Sequence, residues 1–248
     1  MGLALASIAL LPGLAFGSFL NVVAARIPAR RSIVTPGSEC MGCLTPLAWY
    51  DNVPLLSFAL LRGRCRHCET AIPWRYPLVE ATTALLVAAC VLRFGLTWEA
   101  AVSAFFCAAL VAISATDAET HMIPNRVVLP AAGVVLAANT MLHPSMEWTV
   151  AGLGAALFLL VAALAYPAGM GMGDVKLALL LGVALGRTVP VAMMVGMVAA
   201  LVPSIVLYAC HGSAARKMKI PFGPFLALGG VVALFAGQAL LDVYLRLL

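Results

Sequence analysis

Eight long apolar stretches, separated by short polar or proline-containing segments, dominate this chain and leave it few folds to adopt. They run roughly over 2–24, 77–95, 99–116, 126–143, 148–166, 174–188, 190–209 and 223–241. A helix that crosses a bilayer needs about 20 mostly apolar residues, and only the sixth stretch falls well short of that. Hydrocarbon offers no partner for backbone N–H and C=O groups, so a spanning segment must be a helix or part of a closed barrel. None of the stretches alternates with the period of two that a barrel strand requires. The predicted fold is therefore all-α and polytopic, with about eight transmembrane helices. Composition agrees, since 63% of the 248 residues are hydrophobic and 10% are charged, a balance unsuited to a water-facing surface.

Charge sets the expected orientation. The first stretch has no basic residue before its apolar run and no small-residue cleavage site after it, so it reads as a retained helix rather than a secretory signal. Arg26, Arg30 and Arg31 follow it, which by the positive-inside rule puts the N-terminus outside and the next segment in the cytoplasm. Eight crossings then place twelve of the fifteen Lys and Arg residues inside, Arg216, Lys217 and Lys219 among them, and leave Arg93, Arg187 and Arg246 outside. The net charge of +5 thus reads as a topology signal and an attraction to anionic membrane lipid. No basic stripe interleaved with aromatic residues points to nucleic acid.

One composition change divides the chain into three expected parts: a first helix over 1–25, a cysteine-rich cytoplasmic domain over 26–76, and a membrane domain over 77–248. No internal repeat is evident, and Gly152, Gly154, Gly229 and Gly230 are suited to close helix packing. About fifty residues bury too little to fold unaided, and a metal staple would supply the deficit. Cys40-Met41-Gly42-Cys43 and Cys65-Arg66-His67-Cys68 are two Cys-x-x-Cys pairs with 21 residues between them, a pattern that matches a four-cysteine zinc site in all but a slightly long spacer. A disulfide framework is disfavoured in the cytoplasm, and a redox pair would come singly in a βαβ setting that is missing here. Cys90, Cys107 and Cys210 lie in apolar stretches and read as small buried hydrophobes. Arg62, Arg64 and Arg66 are expected to offset the thiolate charge.

Two acids stand at the ends of apolar stretches, Asp117 in Ser114-Ala115-Thr116-Asp117-Ala118-Glu119 and Asp174 in Gly171-Met172-Gly173-Asp174-Val175-Lys176. An ionisable residue in such a position is a functional hypothesis by default. Fifty-six residues separate them, enough for two crossings, so both return to the same membrane face. Two carboxyls about 3 Å apart share one proton, and then one can polarise a carbonyl while the other takes a proton from water. That is the chemistry of an aspartyl protease. Glu119 rivals Asp117, but residues two apart on a helix do not share a face. An ion-coupled transporter is the alternative of a different class, with the acids as a proton or cation path.

Taken together, these residues make the chain resemble the type IV prepilin peptidases, bifunctional leader peptidases and N-methyltransferases with a Gly-x-Gly-Asp motif. The matching blocks are Gly17-Ser18-Phe19-Leu20-Asn21-Val22-Val23, Trp49-Tyr50-Asp51-Asn52-Val53-Pro54-Leu55-Leu56-Ser57, Leu61-Arg62-Gly63-Arg64-Cys65, Arg75-Tyr76-Pro77-Leu78-Val79-Glu80 and Ile220-Pro221-Phe222-Gly223-Pro224-Phe225. The resemblance implies a multi-pass protein of the bacterial cytoplasmic membrane that cuts the leader from pilin or pseudopilin precursors on the cytoplasmic side, with Asp117 and Asp174 as catalytic pair. It also implies methylation of the new N-terminal amine by S-adenosylmethionine, with Gly63, Arg64 and the cysteine domain as the donor's location. The form without methylation lacks the cysteine domain. Two departures stand out: Glu119 replaces a commoner Asp, and Met41 a frequent proline.

Overall fold

The computed structural model describes residues 2–166, 170–212 and 220–247, so Arg216, Lys217 and Lys219 lie outside the described residues. Among those described, regular structure is helical, with only two isolated β-bridges. Seven stretches are long and apolar enough to cross a membrane. One of them, Met172–His211, turns at Gly186–Thr188 and so comprises two helices. The chain is thus a multi-pass membrane protein with eight long helices among the described residues, as its apolar stretches predict. It divides into two compact units, Met1–Ala115 and Thr116–Leu248.

In the first unit, α1 (Gly2–Arg26) packs along α3 (Arg75–Phe94). The contact is made by small residues one turn apart. A Cβ on Gly13 would come within 2.6 Å of the Ala84 Cα, and one on Gly17 within 2.6 Å of the Glu80 Cα. Backbones that approach this closely gain dispersion contacts that lipid chains cannot match. One turn further, the buried Asn21 donates from Nδ2 to the Tyr76 carbonyl at 3.1 Å. The segment between α1 and α3 carries a 3-10 turn over Trp49–Asn52 and the short helix α2 (Leu56–Leu60). Then α4 (Trp98–Thr120) begins in this unit. Cys90 and Cys107 are fully buried here, as expected. Cys210, in the second unit, is exposed instead, because the last turn of its helix is exposed on every side.

In the second unit, α5 (Asn125–Leu142), α6 (Glu147–Ala165), α7 (Met172–Leu185), α8 (Val189–His211) and α9 (Gly223–Leu247) follow. The central element is α7, whose Leu177, Ala178, Leu180 and Leu181 are fully buried. At fourteen residues it is roughly 21 Å long, short of a hydrocarbon core of about 30 Å. Its brevity explains why the sixth stretch looks deficient in the sequence: it is walled by protein rather than lipid. Glycines again set the spacing. Gly182 faces the Ala151–Gly152 backbone of α6, and Gly229 of α9 lies against the Ala192 carbonyl of α8. Gly154, expected to pack as well, has open space around it.

Candidate functional site

Asp117 lies in the last turn of α4 and is 5% exposed, whereas Glu119 points outward. The helical offset keeps the two acids on different faces, and the packing of α4 puts Asp117 on the inner one. Asp117 Oδ2 accepts a 2.9 Å hydrogen bond from the backbone N–H of Gly223, the first residue of α9. Gly223 permits this approach because a Cβ there would fall 2.8 Å from the same oxygen.

Asp174 is the third residue of α7 and is also buried. Its Oδ2 accepts from the Gly171 N–H at 3.2 Å, the arrangement by which an acid in the first turn closes the start of its own helix. Each carboxylate therefore sits against a helix N-terminus, where exposed N–H groups favour negative charge.

Two contacts join the start of α7 to the α4–α5 turn, and a third closes α4 beside them. Gly173 packs on Ile123, where a Cβ would meet the isoleucine Cβ at 2.9 Å. Lys176 Nζ donates to Asn125 Oδ1 at 2.8 Å. The His121 N–H returns to the Asp117 carbonyl at 2.9 Å, closing α4 with a residue at φ 51°. The end of α4 and the starts of α5, α7 and α9 thus converge. The sequence pattern identified both acids but missed Gly223 as a partner, since its contact spans 106 residues.

In the first unit, the four thiols of Cys40, Cys43, Cys65 and Cys68 lie within 4.8 Å of one another. The Cys40 and Cys68 sulfurs are 3.7 Å apart. A tetrahedron of Zn–S bonds of about 2.3 Å has edges of about 3.8 Å, so the donor set fits a metal ion of that kind. His67 contributes only its backbone N–H, 3.5 Å from the Cys65 sulfur.

The two cysteine pairs form matching turns, a structural repeat that the dissimilar intervening residues hide in the sequence. In each, the first cysteine's N–H reaches the carbonyl of the threonine five residues on, Thr45 or Thr70. In each, the residue after the second cysteine takes positive φ, Leu44 at 58° and Glu69 at 56°. The threonine hydroxyls stand 3.2 Å from the sulfurs of Cys43 and Cys68. These hydroxyls favour thiolate, lowering Cys43 and bringing Cys68 down to about 6. Gly42 is required because a Cβ would approach the Thr70 hydroxyl oxygen to 2.6 Å.

Arg66 does not serve the thiols as expected. It pairs with Asp51 at 2.7 Å and lies over the Tyr50 ring. The guanidinium hydrogen bonds hold Asp51 below the usual carboxylate range.

Gly63 and Arg64 border an open, mainly apolar cleft of about 640 Å³, with Phe58, Ala59, Arg62 and Trp74 among its walls. Gly63 has φ +69° and faces the Phe58 ring, which an added Cβ would meet at 3.0 Å. Phe58 and Trp74 stack edge to face at 4.9 Å.

An all-helical multi-pass membrane protein with two buried carboxylates at converging helix ends and a separate four-thiol cluster is a narrow class. Residues 11–94 match the Bacterial Peptidase A24 N-terminal domain, and residues 104–205 match the Type IV leader peptidase family. A prepilin leader peptidase/N-methyltransferase of Bacillus subtilis (strain 168) is 34% identical over 97% of this chain and 98% of its own length. Proteins of the same name from Burkholderia pseudomallei (strain 1026b) and Pseudomonas aeruginosa PAO1 are 36% and 32% identical, over 92% and 96% of this chain and 84% and 92% of theirs. The chain belongs to the prepilin leader peptidase/N-methyltransferase family. No solved structure matches it.

Proposed function

We propose that this chain cleaves the leader from type IV pilin-like or pseudopilin precursors with Asp117 and Asp174 and then N-methylates the new N-terminus. The observation that carries the peptidase half is the burial of both carboxylates against helix N-termini that meet at one end of the unit. In this reading the pair holds one proton between two carboxyls, and its titration belongs to the pair. The ionised carboxylate takes a proton from water as the water oxygen attacks the scissile carbonyl carbon. Its protonated partner gives a proton to the carbonyl oxygen. The C–N bond then breaks as the leaving amine takes the proton drawn from water, while one hydroxyl of the gem-diol returns its proton to the second carboxylate, leaving a carboxylic acid and the dyad in its starting state.

The methyl-transfer half rests on the relatives' name and on the cleft beside Gly63 and Arg64. Its volume of about 640 Å³ falls in the range of small-molecule sites, roughly 300–1,000 Å³. S-adenosylmethionine, when bound, supplies the methyl group that the freed amine attacks. Arg62 and Arg64 stand at the cleft edge for an anionic group, and Phe58 and Trp74 offer ring faces.

Cys40, Cys43, Cys65 and Cys68 would hold zinc as a closed structural site, with no open position for chemistry. Functionally the chain divides into a first helix over 1–25, the cysteine domain over 26–76 and a peptidase domain over 77–248. The excess of basic residues on one side supports insertion in the bacterial cytoplasmic membrane with the acids facing the cytoplasm. The transporter alternative finds no support among the relatives' names. The test is incubation of the purified full-length enzyme with a prepilin and S-adenosylmethionine, followed by mass spectrometry. A mature product one methyl group heavier supports both halves, an unmethylated mature product leaves the peptidase alone, and an intact precursor refutes the reading.

A further inference from the structure

Glu80 is a buried carboxylate that neither the peptidase pair nor the thiol cluster uses. It lies on α3 at 8% exposure, on the face where α1 crosses most closely, with the Gly17 backbone against its own. A charged residue set inside a spanning helix is costly and is kept where it has a specific partner. Its partner here is local and polar. Glu80 Oε2 accepts a 2.9 Å hydrogen bond from the backbone N–H of Leu55.

Leu55 is the other half of the observation. It has φ 57°, a left-handed conformation that a branched aliphatic residue adopts only when its surroundings demand it. The next residue begins α2, which carries Phe58 and Ala59 into the wall of the cleft and leads directly to Arg62, Gly63 and Arg64. The orientation of that wall is therefore inherited from the turn at Leu55, and the turn is held by a carboxylate rooted in the α1–α3 helix pair. Three blocks distant in sequence, around Gly17, Leu55 and Glu80, meet here.

We propose that Glu80 is a positioning residue for methyl transfer, fixing the Leu55 turn and through it the α2 wall of the cleft. This rests on the reading of the cleft as the methyl-donor site. Full-length Glu80→Gln keeps an acceptor oxygen of nearly the same shape, whereas Glu80→Leu removes it. Steady-state methylation of a pre-cleaved pilin should show the KM for S-adenosylmethionine raised about tenfold or more in Glu80→Leu and within about threefold of wild type in Glu80→Gln. Leader cleavage by both variants should stay within about twofold. Hydrogen exchange of the peptide covering 53–62 should quicken in Glu80→Leu and not in Glu80→Gln. An unchanged KM in Glu80→Leu, or equal loss of methylation and cleavage in both variants, overturns the proposal. If wild-type enzyme fails to methylate, the cleft reading falls by itself, and the exchange measurement still decides whether Glu80 holds the turn.

Discussion

Replacing Gly223 by alanine should impair peptide cleavage without altering either acid. The substitution keeps the backbone N–H that Asp117 accepts, but the added Cβ would lie 2.8 Å from Asp117 Oδ2 and 3.1 Å from its Cγ. Ordinary contact begins near 3.4 Å, so the carboxylate or the start of α9 must give way by about 0.6 Å. Asp117 cannot yield freely, being buried within the last turn of α4. Misplacing a reacting group by about 1 Å can cost on the order of 100-fold in rate. A displacement of this size should therefore lower kcat by about 10- to 100-fold, a barrier increase of about 1.4–2.7 kcal/mol. Stability should change little, because the crowding is confined to one contact at the first residue of α9. The assay is prepilin cleavage by the detergent-solubilised full-length enzyme, with its thermal melting followed in parallel. Gly154→Ala, where the new methyl group meets nothing within 4 Å, serves as the control. Cleavage by Gly223→Ala within twofold of wild type, in an enzyme that Asp117→Asn inactivates, would refute the view that this contact sets the acid's position.

Further outcomes follow from the same geometry. Asp117→Asn and Asp174→Asn should each reduce cleavage by at least about 100-fold while inserting and melting normally, and Glu119→Gln should keep most of the activity; a gel-shift assay of the precursor reads all three. Metal analysis of purified protein should find about one zinc per chain, as a single four-thiolate site requires, and Cys40→Ser or Cys65→Ser should lose it. Thr70→Val should weaken zinc retention against a chelator by about 10- to 100-fold, the usual cost of removing a hydrogen bond behind a metal ligand, with no direct loss of a sulfur. Arg64→Ala should release mature pilin with an unmethylated N-terminus, which mass spectrometry distinguishes by one methyl group. That variant is a cleaner test than any at Gly63, where positive φ would strain a side chain regardless of function.

The apolar stretches and the spacing of the cysteines were enough to determine membrane class, helix number and the four-thiol cluster. Each is a local property: hydrocarbon requires helices of a given length, and a tetrahedral ion requires two closely spaced thiols from each side. Helical geometry also showed that only one of Asp117 and Glu119 could face inward, and the fold buries Asp117. What depends on tertiary structure is every contact made across many residues. The N–H of Gly223 on Asp117, the return of Asn125 to Lys176 and the grip of Glu80 on Leu55 carry no periodic signature. Gly13 and Gly17 did have one, a small residue every fourth position, and the packing of α1 on α3 explains it. Arg66 shows the limit from the other side: sequence proximity assigned it to the thiols, but a planar guanidinium gains more from two hydrogen bonds to Asp51 than from a diffuse attraction to nearby sulfur. Only the folded chain brings such partners within reach, because a hydrogen bond or a close backbone crossing is selected by distance in space and not by distance along the sequence.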